Sequence, residues 1–71
     1  MEDYRSWEAW SQIVPVDTFS YEEAAHACKM TLYARMRVHG AIATSDFVQD
    51  TFVMDGVLNH RVEIMVEKYK P

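Results

Sequence analysis

The chain has 71 residues, 49% of them hydrophobic and 25% charged, with a net charge of −4. That length is one domain's worth, and the composition argues against a disordered tail, a collagen-like repeat or a flexible linker. The single cysteine, Cys28, excludes an intrachain disulfide framework and any cysteine-rich zinc module. No apolar run approaches the ~20 residues of a membrane span, and Met1-Glu2-Asp3 has the wrong charge for a signal peptide, so the expected location is the cytoplasm with no membrane contact.

Charge is distributed unevenly. Residues 1–28 hold six acids and only Arg5, whereas residues 29–45 hold Lys29, Arg35 and Arg37 and no acid. A nucleic-acid binder needs a basic face that neutralises phosphates. Three bases in one segment are too few, and direct nucleic-acid binding is not expected. Below about 70–80 residues one core rarely supplies more than ~3–5 kcal/mol, and small folds usually carry a staple. With no disulfide and no recognisable metal set, oligomerisation or docking on a partner is the remaining route.

Residues 4–19 read two ways. Trp7, Trp10 and Val14 fit one side of a helix ended before Pro15, or the segment is a long strand running to Val14-Pro15-Val16. The strand is favoured, because a helix there would leave a two-stranded sheet, marginal by itself. Pro15 cannot donate to a ladder, so such a strand lies at a sheet edge. Next, Ser20-Tyr21-Glu22-Glu23 fits a capping box, helix-compatible residues run to Val38, and Gly40 supplies the left-handed residue that ends many helices. At 100° per residue, Tyr21, Ala24, Ala25, Cys28, Leu32 and Met36 share one face, small enough to lie close against a sheet.

Downstream, Asp55-Gly56 is a favoured two-residue hairpin turn. A tight turn there pairs Val53 with Leu58, Asp50 with Arg61 and Gln49 with Val62. One sheet face then holds Phe47, Val53, Leu58, Val62 and Ile64. The other holds Val48, Phe52, Met54 and Val57, too apolar for water, which implies a covered sheet or a second copy. The alternative is a short helix capped by Ser45 and running through Met54. Val62, Ile64 and Val66 alternate with polar residues and Met65 as in a half-buried strand. The expected fold is α+β: β-α-β-β, with one central helix packed on a small antiparallel sheet.

Catalytic machinery is not evident. Cys28 falls on the apolar helix face and His26 projects roughly opposite, so neither a nucleophile–base pair nor a metal chelate converges. Asp55 reads as a turn former, Asp17 precedes the helix, and Asp50 has Arg61 as a cross-strand partner. No glycine-rich phosphate loop is present. We expect no enzyme activity, no metal and no cofactor.

The positive signal is apolar bulk where charge is expected. His26, Met30, Tyr33 and Arg37 fall within about 60° on the helix side facing away from the core, and Tyr, Met and Arg are enriched at interfaces. Trp7 and Trp10 are further anchors: on a strand they point to opposite faces, so one is core and the other exposed. Which is which stays open at this point. The acidic excess reads as solubilising, with a secondary preference for basic partners.

The order strand, capped helix (Ser20 to Ala25), then a hairpin through Met54-Asp55-Gly56-Val57 to His60 resembles the dodecins, small β-α-β-β flavin-storage proteins that assemble into hollow dodecamers. The resemblance implies a homo-oligomer. It does not carry over the flavin site, since Ala43 stands about where dodecins have the tryptophan that stacks on flavin, and Val62 near their last-strand glutamine. The chain is also similar in type to small acidic phage-encoded inhibitors of host enzymes, some with a strand-to-helix passage like Val14-Pro15-Val16 through Ala27. The expected function is a protein-binding module of phage or mobile-element type that occludes a surface of a host protein, using His26, Met30, Tyr33, Arg37 and an exposed Trp. The alternative is a homo-oligomeric small-ligand carrier of dodecin-like build.

Overall fold

A computed structural model of the chain describes residues 5–16 and 20–69. Of the segment 4–19 read above, residue 4 and residues 17–19, Asp17 among them, lie outside the described residues. The elements are β1 (Arg5–Pro15), α1 (Tyr21–His39), β2 (Ile42–Ala43), β3 (Val48–Met54) and β4 (Val57–Tyr69). The fold is α+β, one helix on an antiparallel sheet, as expected. β4 is its spine: β1 pairs along one side of it from Arg5↔Tyr69 to Pro15↔Asn59, while β2 and β3 share the other side. Residues 5–15 are therefore strand, not helix. Pro15 sits at the last rung of an edge strand, where its missing N–H costs least.

Local chemistry explains each boundary. Ser20 Oγ accepts from the Glu23 amide at 3.1 Å, and Glu22 and Glu23 occupy the first turn of α1. At the other end Gly40 takes φ 64°; its N–H reaches the Arg37 carbonyl and the Ala41 N–H reaches that of Met36 at 2.8 Å, a Schellman closure. Between β3 and β4, Asp55 and Gly56 both have positive φ (53° and 75°), as the tight turn requires. The turn sets the expected register: Val53↔Leu58, Asp50↔Arg61 and Gln49↔Val62.

The alternative helix through Met54 is overturned, because β3 pairs with β4 as strand. Ser45 does not cap a helix; its hydroxyl accepts from the Met65 amide at 3.1 Å. That bond belongs to an interruption the sequence pattern did not reveal. Between Ala43↔Val66 and Val48↔Glu63, residues 44–47 lie opposite only Ile64 and Met65. Two extra residues are taken up there as a bulge, with Thr44 N–H and Oγ1 both donating to the Met65 carbonyl at 2.9 and 3.2 Å.

α1 covers one side of the sheet. Cys28, Leu32 and Met36 pack on Trp10, Val62, Ile64 and Val66, with Val14, Ala41 and Phe47 at the margin. Alternation sends Trp7, Ile13, Met65, Val48 and Met54 to the other side, which no described element covers. The shape is correspondingly long, 50 × 19 × 18 Å, with a radius of gyration of 14.1 Å. A compact chain of this length has about 11 Å.

Candidate binding surfaces

The two tryptophans separate as alternation requires. Trp10 is 4% exposed and faces α1, whereas Trp7 is 56% exposed on the open side. Trp10 is thus corrected from candidate anchor to core residue: its ring lies under the Arg35 guanidinium (4.2 Å to the centroid) and beside His39 (5.8 Å). A partner has no access to it. Trp7 stays exposed on an edge strand, with the Arg5 guanidinium over its ring at 5.7 Å from the centroid.

His26, Met30, Tyr33 and Arg37 are all exposed on the side of α1 away from the sheet. Met30 and Tyr33 leave about half their surface in water. Tyr33 is not free to swing, because its ring meets Phe47 edge-on at 5.4 Å, and the Lys29 ammonium lies over the Phe47 ring at 5.6 Å. This props an aromatic anchor from beneath, a contact that sequence spacing could not show because it depends on the bulge before β3. Lys29 borders the stripe and Arg37 belongs to it, while Glu22 and Glu23 lie one turn before His26 on the same side of α1, so the charge around it is mixed.

The open sheet face is the larger apolar surface. Val48, Phe52, Met54 and Val57 lie on it as the hairpin register dictates, and pairing of β1 with β4 adds Trp7, Ile13 and Met65. Sequence reading missed Ile13 and Met65; period-two alternation in both strands was the available signal, but it needs the β1–β4 register, set by residues more than 40 apart. Two ion pairs cross this face. Arg61 donates through Nε to Asp50 Oδ1 at 2.9 Å and through its second nitrogen to Oδ2, and its guanidinium lies over Phe52 at 5.1 Å. Arg5 meets Glu67 at 3.2 Å. The Arg61 hydrogen bonds hold the Asp50 carboxyl below its ordinary pKa, and Asp50 in turn raises Arg61.

Two chemically capable side chains, His60 and Cys28, lie inside the core. His60 is fully buried, with Nε2 3.1 Å from Gln49 Oε1 and its ring edge-on to Tyr21 at 4.7 Å. Cys28 is buried among apolar side chains, which pushes its thiol up. Among the described residues no three His, Cys, Asp or Glu side chains cluster to hold a metal, no cavity opens, and no helix is long and apolar enough to cross a membrane. Compared with protein-family models, with curated proteins and with solved structures, the chain matches none.

Proposed function

We propose that this chain is a small cytoplasmic protein-binding module, an inhibitor or regulator of the kind mobile elements encode, that works by covering a surface of another protein. One observation carries the reading: Met30, a propped Tyr33 and Arg37 stand together, all exposed, on the outer side of a capped helix. Aromatic, Met and Arg side chains are those that anchor protein interfaces, and holding Tyr33 in place before contact lowers the entropy lost on binding.

Charge narrows the partner. The net charge of −4 favours approach to a basic protein at long range. At contact the local field decides, since charges beyond about 8 Å are screened in physiological salt. Glu22 and Glu23 stand before His26 at one end of the stripe and Arg37 closes the other, so the docked patch is apolar at its centre, with an acidic group facing Arg37 and a basic one facing Glu22 and Glu23.

The test is capture of the partner with tagged protein from its native cell, identified by mass spectrometry, followed by titration of the purified pair. Tyr33→Ala with Arg37→Ala should weaken that pair at least roughly tenfold, the loss typical of central anchors. Unchanged affinity would place the working surface elsewhere.

A second reading, a homo-oligomeric small-ligand carrier of dodecin-like build, is favoured by the observed strand–helix–hairpin order closed at Asp55-Gly56. It predicts a large assembly and a purified protein that absorbs visible light. A colourless monomer removes it.

A further inference from the structure

We propose that the open face of the sheet seats a second copy of this chain, face to face, with the two β4 strands antiparallel and a twofold axis crossing them at Val62. The inference concerns the side of the molecule opposite the helix stripe and stands apart from the partner proposed for that stripe.

Three observations point to a copy as the occupant. The first is the uncovered face. α1 packs on one side of the sheet only, and on the other Trp7, Ile13, Val48, Met54 and Met65 stay exposed along its length, with no described element over them. A copy is present whenever the chain itself is.

The second is area. Three rows spaced about 4.8 Å apart (β1, β4, and β2 and β3 end to end), each spanning about eleven residues at about 3.3 Å, give a face of roughly 500 Å² in projection, and more in accessible surface. A standard interface takes about 800 Å² from each partner. The open face is thus of a size to make one such interface, and Trp7, Ile13, Val48 and Met65 supply apolar contact on both halves of its length.

The third is charge. Arg61 and Glu63 are successive residues on this face of β4, at the middle of the strand. A twofold axis at Val62 lays each Arg61 over Glu63 of the second copy, twice. This pairing lies at the axis, where the ~30° rotation between packed sheets displaces it least. Arg61 already holds Asp50, and its planar guanidinium has donors left for a second carboxylate. A parallel arrangement, with the axis along β4, would instead set Arg61 on Arg61 and Glu63 on Glu63.

The experiment is light scattering and native mass spectrometry on the whole chain, with circular dichroism confirming the fold of each variant. The expected mass is two chains. Met65→Lys, which places a charge inside the seam, should weaken the dimer at least about tenfold, while Val38→Ser, on the exposed helix surface, should leave it intact. The register has its own test. Arg61→Cys and Glu63→Cys should oxidise to a disulfide-linked one-to-one heterodimer when mixed and to little homodimer alone, because position 61 lies over position 63 across the axis and not over itself. A wild-type monomer overturns the proposal, as does an assembly of any size whose mass is indifferent to Met65→Lys. Either variant cross-linking to itself as readily as to the other overturns the antiparallel seating.

Discussion

The guanidinium of Arg35 lies 4.2 Å from the centroid of the Trp10 ring, on the side of β1 that α1 covers. Trp10 is the largest residue of the core, and it sits at the edge strand, where the helix alone would leave its outer rim wet. Arg35 from the helix, with His39 one turn on, closes that rim. The arginine thus acts through its flat apolar stem and ring contact as much as through charge. Arg35→Ala should cost about 1 kcal/mol, most of it lost cation–π contact and packing. In a Trp7→Phe background, where Trp10 is the sole emitter, its fluorescence maximum should move to the red in the folded state. An unmoved maximum would mean that Arg35 does not shield the ring.

Asp50 and Arg61 predict a pH dependence confined to the acid side. Arg61 lowers the Asp50 carboxyl in the folded chain, so its stabilising effect is complete above the ordinary aspartate value near 4 and is lost as pH falls through the lowered one. Both side chains are exposed, so the effect is small and salt-sensitive. Urea midpoints of wild type and Asp50→Asn should differ at pH 7 and converge as pH falls below the ordinary aspartate value near 4. A gap that does not narrow on acidification would assign the effect to something other than the carboxylate.

The hairpin was readable because its determinants are local. Asp55-Gly56 sets the turn, the turn sets the register, and Asp50 opposite Arg61 follows. The helix was readable for the same reason, from Ser20 at one end and Gly40 at the other. What sequence pattern did not yield depends on distant pairing. Alternation placed Trp7 and Trp10 on opposite faces, but only Trp10↔Ile64 decides which one the helix covers. The bulge at 44–47 was hidden because the Ser45 hydroxyl stands in for a ladder acceptor, and nothing in a serine's neighbours announces that role. Phe47, and with it the propping of Tyr33, was hidden behind the same bulge.

Gly56 isolates backbone conformation from packing. A Cβ built there meets nothing within 4 Å, yet φ is +75°. Gly56→Ala should therefore destabilise by about 1–2 kcal/mol through left-handed strain alone. Asp55→Asn should be nearly neutral, since asparagine tolerates that region as well as aspartate does. Chemical denaturation of the two variants checks both. Equal costs would mean that the turn does not hold the conformation described.

Cys28 reports on the core from inside. It is 1% exposed beneath α1, and burial raises its thiol, so little reactive thiolate is available in the native state. A disulfide reagent at pH 7.5 should label it slowly, through transient opening, and at once in denaturant. Leu32 packs in the same cluster, and Leu32→Ala should cost about 2–5 kcal/mol. Total stability for 71 residues is only roughly 4–11 kcal/mol. The substitution should then raise the labelling rate by at least about 30-fold, because opening and reclosing are fast relative to the thiol chemistry and the rate follows the population of the open form. If wild-type Cys28 labels as fast as a free thiol, the helix does not hold it against β4. If Leu32→Ala leaves the rate unchanged, labelling proceeds by a local opening that leaves the core intact.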